Sequence, residues 1–294
     1  MKIEEISYKA ELSFNNTNIN DFFKNYNLES LDLNIKIDSE SVSFTGNGLY
    51  DFMPISFSGK EFLNEKNTES IEINIDLRPD FFNEFYDGLI TNSNGNIPLV
   101  MNIENRKYSG ELEIFGTAVL NDFSADLEAL SLNHNYSHGK FKFSYFSEVL
   151  QESKINFKFN SEDIDISALV INKFEKQEIT IEKFKSSTQD FNGKIVFDKN
   201  VGDINIFGKK LNFSNFLKNQ RKNYFLNITF NFDVENFFLS EIPIITPYLK
   251  GKIVNNKFEN LLFSFKNDNL KHLISIDHKE NKKYFLLESQ DASY

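Results

Sequence analysis

The chain has 294 residues, of which 40% are hydrophobic and 26% charged, so it can form one large domain or two ordinary ones with a sizeable core. Its formal net charge of −11, without any block of basic residues, argues against a nucleic-acid partner and gives no attraction to anionic membrane surfaces. The absence of cysteine excludes disulfide bonds, thiolate catalysis and cysteine-ligated metals.

Apolar and polar residues alternate in the first third of the chain. Successive side chains of a strand point to opposite sides, so this alternation predicts strands with one apolar and one polar face. The clearest runs are Leu31, Leu33, Ile35 and Ile37, then Ile71, Ile73, Ile75 and Leu77. Residues typical of turns lie outside these runs, at 45–48 (Thr-Gly-Asn-Gly) and 93–96 (Ser-Asn-Gly-Asn).

The same period of two continues to the end of the chain. The later runs include Ile155, Phe157 and Phe159; Ile179 and Ile181; Ile195 and Phe197; Ile204 and Ile206; Ile228, Phe230, Phe232 and Val234; Phe263 and Phe265; Ile274 and Ile276; and Phe285 and Leu287. Strand starts recur about every 8–12 residues, which predicts roughly 16 to 18 strands. Such alternation is typical of antiparallel sheet with one side in water, so the sequence predicts a mainly β fold.

Three short segments carry helix signals. Residues 20–26 begin with an Asn cap, residues 79–89 place Pro at the first helical position, and residues 214–222 begin with Ser and end in cations. Residues 242–248 hold two prolines and are predicted to form a turn. No low-complexity linker divides the chain, and the predicted domains are an N-terminal β segment, 1–94, and a larger β region, 95–294.

No set of residues predicts catalysis. His134 and His138 are four residues apart, but the surrounding sequence predicts strand and turn, and no carboxylate cluster completes a metal site. Asp163 and Asp165 alternate with isoleucines, which predicts a solvated strand face. No Gly-x-Ser-x-Gly elbow or glycine-rich phosphate loop is present. The sequence therefore predicts a protein that is not an enzyme and that has no metal or cofactor.

The apolar faces of the predicted strands permit two architectures. Two sheets packed face to face would bury them in the closed core of an ordinary sandwich. One sheet that curls into an open trough would instead keep its apolar face available to lipid, because acyl chains need a continuous apolar lining. Alternation by itself does not distinguish these two alternatives.

Two stretches in the second half share an order of strands, Gly-containing hairpins and short aromatic segments, and a third is a strand that ends in Asp-Ala. They are residues 167–217, which include DFNGKIVFDKNVGDINIFGKKLNF, residues 225–265, and residues 284–293, which read YFLLESQDAS. Residues 95–132 show the order more faintly. On these residues the region 95–294 resembles the AsmA-like superfamily of bacterial envelope proteins, in particular its YhdP central-domain group. In the last stretch Asp291 and Ala292 match the family, whereas Ser293 stands where Gly is usual.

The resemblance implies an elongated, curved antiparallel sheet with an apolar groove, like a taco shell, and a few short helices. Members of the superfamily are anchored in the inner membrane of Gram-negative bacteria by an N-terminal helix and extend into the periplasm. They support phospholipid transport to the outer membrane and envelope integrity. It therefore implies a non-enzymatic, periplasmic protein whose partners are phospholipid acyl chains, with inner-membrane anchoring through a segment that is not in this chain.

Two departures from the family bear on this expectation. The chain lacks the anchor helix, and it stops where the C-terminal domain of the family would begin, so we expect an internal piece of a longer protein. The residues predicted to line a lipid groove are Ile155, Phe157, Phe159, Ile195, Phe197, Ile204, Ile206, Ile228, Phe230 and Phe232. The alternative hypothesis is a structural or adhesive β-sandwich module with a closed core.

Overall fold

The computed structural model describes residues 8–23, 26–63, 69–79, 81, 91–106, 110–127, 132–147, 152–213, 227–239, 243–255, 257–267, 270–279 and 282–290. These residues are almost entirely strand and pair in a mostly antiparallel sheet. The strands of the first half are β1 (Lys9–Phe23), β2 (Tyr26–Asp38), β3 (Ser41–Tyr50), β4 (Met53–Phe62), β5 (Glu69–Leu77), β6 (Thr91–Asn94), β7 (Ile97–Arg106), β8 (Glu111–Leu127) and β9 (Leu132–Ser147). Those of the second half are β10 (Ser153–Ser161), β11 (Asp165–Lys173), β12 (Lys176–Lys185), β13 (Asp190–Asp198), β14 (Val201–Asn212), β15 (Asn227–Phe238), β16 (Pro243–Val254), β17 (Lys257–Asn267), β18 (Leu270–Lys279) and β19 (Lys282–Ser289).

The chain divides into two compact units. The first comprises residues 1–125 and 135–155, and the second residues 126–134 and 156–294. The mainly β, mostly antiparallel fold predicted from the alternating residues is confirmed. The predicted domain boundary near residue 95 falls between β6 and β7, inside the first unit.

The first unit is an antiparallel meander. Strands β1 to β5 pair in sequence order, β5 pairs with β7, and β7 pairs with β8. Its β2–β3 hairpin is held by Asp38, whose Oδ1 accepts hydrogen bonds from the backbone N–H groups of Glu40 and Ser41 at 2.8 and 2.7 Å. These bonds favour the carboxylate, so they lower the pKa of Asp38 below its ordinary value.

The second unit contains one parallel pair. Strands β11 to β14 and β15 to β19 pair antiparallel in sequence order, whereas β14 and β15 run parallel with an unbroken register. Residues 213–226 connect these two strands, and a parallel crossover needs a dozen residues or more. The alternation of apolar and polar residues does not indicate whether neighbouring strands run parallel or antiparallel, so the sequence did not predict the parallel pairing of β14 and β15.

The helix predicted at residues 20–26 is wrong, because residues 20–23 belong to β1. Asp and Asn residues around this segment serve irregularities in the β1–β2 pairing. Asp21 has a φ of 52°, and its backbone N–H donates to Asn27 Oδ1 at 3.2 Å. In the same way, the N–H of Asn16 donates to Asp32 Oδ1 at 2.9 Å. A short polar side chain can satisfy a bulge as readily as a helix end.

The turns predicted at residues 45–48 and 242–248 are also wrong, because residues 45–48 lie inside β3 and β16 begins at Pro243. Proline is tolerated at the first residue of a strand and at bulges. Pro243 occupies the first position, and Pro247 lies where the β16–β17 register shifts, beside Thr246 with its φ of 45°. Of the other two helix predictions, residues 214–222 lie outside the described residues, as do residues 80 and 82–89 of the segment 79–89.

The β11–β12 hairpin places a phenylalanine in a strained turn position. Phe174 has a φ of 48° and exposes 90% of its side chain. The left-handed conformation costs most residues about 1–2 kcal/mol, but Asn adopts it readily. We expect Phe174→Asn to raise the free energy of unfolding by about 1 kcal/mol in chemical denaturation.

The control for this variant is Lys176→Asn, at an exposed strand position beside the turn. Asn is depleted in strands, so this substitution is expected to be neutral or destabilising. An equal gain from both variants would show that the stabilisation does not come from the backbone at position 174.

Candidate functional site

A continuous apolar strip crosses nine strands of the second unit, β11 to β19. Directly opposite residues on neighbouring strands share a face of the sheet, and their side chains contact each other. The register aligns two adjacent rows in which every member is apolar or glycine. The first row is Val170, Ile179, Ile195, Ile204, Phe230, Gly251, Leu261, Ile276 and Phe285. The second row is Ala168, Ile181, Gly193, Ile206, Phe232, Leu249, Phe263, Ile274 and Leu287. We call these two rows the apolar face.

The opposite side of the same strands is mixed and mostly polar. The row that lies between the two apolar rows in sequence is Leu169, Thr180, Lys194, Asn205, Asn231, Lys250, Leu262, Ser275 and Leu286. On this side Lys194 Nζ lies 2.6 Å from Glu178 Oε1. The hydrogen bond from Lys194 is the main reason why the pKa of Glu178 is lowered. The second unit is therefore amphipathic across its width.

Burial on the apolar face is greatest at its centre and falls towards β19. Ile206, Phe230 and Phe232 expose only 6–7% of their surfaces and pack with residues from the same two strands. Most of the flanking members are half-buried, and at the edge Phe285 and Leu287 are 68% and 64% exposed. The face thus combines a tightly packed centre with partly accessible flanks.

The register brings together seven of the ten predicted lining residues. Five belong to the two apolar rows: Ile195, Ile204, Ile206, Phe230 and Phe232. Phe197 and Ile228 lie on the same side in the next row, joined through Gly202. Ile155, Phe157 and Phe159 are half-buried and alternate with exposed residues along β10. Their role as lining residues stays a prediction.

The lining residues predicted from the sequence omitted most of the apolar face, 13 of its 18 members. Ile274, Ile276, Phe285 and Leu287 lie on the two C-terminal strands, whose alternation was visible but was not assigned to the lining. Leu249 lies on β16, which was predicted as a turn over its first residues. The alternation of Leu249, Gly251 and Ile253 was the signal that could have identified it.

The first unit repeats this construction. One of its rows is Leu12, Ile35, Phe44, Gly59, Ile71, Ile103 and Ile114, again without a polar member. A shallow, open depression of about 330 Å³ lies over β4, β5 and β7, with Ile55, Ile75 and Leu99 among its lining residues. Because the depression is open and its volume is at the lower limit for a small-molecule site, it is not an enclosed binding cavity.

Two kinds of feature are absent from the described residues. They contain no group of three or more His, Cys, Asp or Glu side chains placed to hold a metal ion. They also include no helix with the length and apolar character required to cross a bilayer. His138 is exposed, and its Nδ1 lies 3.3 Å from Asn121 Oδ1.

The strand pairing and the two-sided composition define the class: a mostly antiparallel β protein with amphipathic strands. No protein-family model, curated protein or solved structure matches the chain.

Proposed function

We propose that this chain is part of a non-enzymatic protein of the bacterial envelope that supports phospholipid transport between the inner and outer membranes. In this proposal it lies in the periplasm, and acyl chains rest against the apolar face. A curved sheet would form the groove, and membrane anchoring would depend on a segment outside this chain. The observation that carries the proposal is the run of nine strands whose two aligned rows contain no polar side chain.

The dimensions of the apolar face suit an acyl chain. Neighbouring strands are about 4.8 Å apart, so nine strands extend about 40 Å across the sheet. An acyl chain spans half of a hydrocarbon core that is about 30 Å thick. Removing each CH₂ group from water contributes about 0.8 kcal/mol. A strip without polar interruptions can therefore support an acyl chain at many positions along its length.

Ile195→Asn tests this proposal, because it places a polar side chain in the first apolar row. Ile195 is half-buried and lies opposite Ile179 and Ile204. We expect about ten-fold weaker binding of phosphatidylethanolamine and phosphatidylglycerol, because the lost apolar contact is worth about 1.5 kcal/mol. Phospholipid bound per mole of purified chain is measured by mass spectrometry, before and after incubation with vesicles of these two lipids.

Val196→Asn is the matched control. Val196 is the next residue of the same strand, is also β-branched and half-buried, and points to the opposite side. Lipid binding should be unchanged in this variant. Equal losses from both substitutions, or a wild-type chain that binds no phospholipid, would contradict the proposal.

The packed centre of the apolar face favours a second function, a structural or adhesive module with a closed core. Gly193, Ile206, Phe230, Phe232 and Gly251 are buried there. A closed core would admit no lipid, and Ile195→Asn would then lower the melting temperature much more than Val196→Asn without any change in bound phospholipid. Melting curves of the same two variants therefore distinguish the two functions.

A further inference from the structure

Among the described residues, β19 carries an exposed apolar edge on the side away from β18. All eight of its residues are exposed, and four consecutive large side chains, Tyr284, Phe285, Leu286 and Leu287, expose 51%, 68%, 46% and 64% of their surfaces. Strand β19 pairs with β18, and among the described strands it has no second partner with an assigned register. An exposed strand edge with apolar side chains is a template for pairing with another strand.

The backbone of β19 offers a defined set of hydrogen-bonding groups at this edge. The N–H of Gln290 donates to the carbonyl of Lys271 on β18 at 3.2 Å, and the β18–β19 register has no irregularity. Residues along a strand alternate in the direction of these groups. The even-numbered residues of β19 therefore direct their N–H and C=O groups towards β18, whereas those of Lys283, Phe285, Leu287 and Ser289 point away from it.

The charges of β19 are complementary to those of a second, antiparallel copy of the same strand. Lys282 and Lys283 stand at its start and Glu288 near its end. In a hydrogen-bonded antiparallel pair, two opposing residues direct their N–H and C=O groups towards each other. Phe285 has outward groups, so a two-fold axis can pass midway between Phe285 of one copy and Phe285 of the other. Lys282 then faces Glu288 of the second copy on both sides of the axis, Tyr284 faces Leu286, and Phe285 faces itself. Opposite charges and aromatic pairs across strands are stabilising.

We propose that β19 pairs antiparallel with β19 of a second copy and forms a closed, two-fold symmetric dimer. Lys283, Phe285 and Leu287 of each copy then provide about six backbone hydrogen bonds. The two-fold axis is perpendicular to the sheet, because directly opposed residues of the two copies have their side chains on the same face of the sheet. Since Phe285 and Leu287 belong to the apolar face, the dimer joins the apolar faces of two copies on the same side.

Phe285→Pro tests the backbone pairing. Proline removes an N–H that points away from β18 and blocks the approach of a second strand, while the β18–β19 hydrogen bonds stay intact. Sedimentation of the full chain at about 1 to 100 µM should show a dimer for the wild type and a monomer for the variant. Its circular dichroism and melting temperature should be unchanged. Phe285→Leu, which keeps the N–H, should still dimerise.

A charge exchange tests the register. Lys282→Glu and Glu288→Lys should each weaken the homodimer about ten-fold, because each creates like-charge pairs at both ends. An equimolar mixture of the two variants should restore the wild-type affinity, since each charge then faces its opposite in the heterodimer. A monomeric wild type, oligomers larger than a dimer, a dimer that survives Phe285→Pro, or a mixture no tighter than the separate variants would overturn the proposal.

Discussion

Phe232→Ala is expected to lower the free energy of unfolding of the second unit by about 3–5 kcal/mol. The ring of Phe232 is 7% exposed, and its centroid lies 5.7, 5.6 and 6.3 Å from those of Phe213, Phe230 and Phe237. Truncation removes both the transfer free energy of the ring and its contacts with three aromatic neighbours. Chemical denaturation followed by far-ultraviolet circular dichroism measures the change.

The control for Phe232→Ala is Phe207→Ala on the neighbouring strand. Phe207 points to the polar side and is 42% exposed, so its truncation should cost about 1 kcal/mol or less. Similar costs for the two substitutions would mean that the centre of the apolar face is not packed as a core. The proposal of a packed centre with accessible flanks would then be wrong.

Gly46→Ala is expected to destabilise the first unit by about 1–3 kcal/mol, although alanine normally suits a strand better than glycine. Gly46 lies opposite Phe57, and a Cβ atom at position 46 would lie 2.5 Å from Phe57 Cζ. Phe44 covers Gly59 in the same manner, and the two rings are 6.2 Å apart. The substitution therefore forces a ring out of its packed position. Denaturation curves measure the loss.

A double-mutant cycle identifies the cause. In a Phe57→Ala background the ring is absent, so Gly46→Ala should be neutral, or stabilising by about 0.5 kcal/mol through the unfolded state. The next nearest atom to the added methyl group, apart from this ring, is the backbone oxygen of Asp32 at 3.2 Å, which requires only a small shift. The same cost in both backgrounds would assign the strain to that backbone contact instead.

The pairing of glycine with phenylalanine recurs through the sheet. Phe230 lies opposite Gly251, and Phe197 lies opposite Gly202, in addition to the two pairs of the first unit. Each ring covers the space that a facing side chain would fill, a device that protects strand glycines. The high phenylalanine content, 33 residues, therefore has a structural use on the apolar rows, beyond general apolar character.

Two of the errors of local prediction have a common origin. Asp21 and Asn27 in the first unit, and Pro243 and Pro247 in the second, are residue types that end or cap regular structure in isolation. In the folded chain the Asx pair satisfies an irregular strand pairing, and the prolines occupy a strand start and a register shift. Local propensity could not distinguish these roles, because the partner strand determines where an irregularity is needed.

The sequence alone determined that this protein consists of amphipathic strands, because the orientation of successive side chains is a property of each strand itself. Only the tertiary structure decided that Ile195, Ile204 and Phe230 stand in one row, that β14 and β15 run parallel, and that β19 pairs with β18 in an unbroken register. These features depend on main-chain hydrogen bonds between distant segments. Alternation specifies which side chains share a face, but it does not specify which strand, in which direction and register, supplies the neighbour.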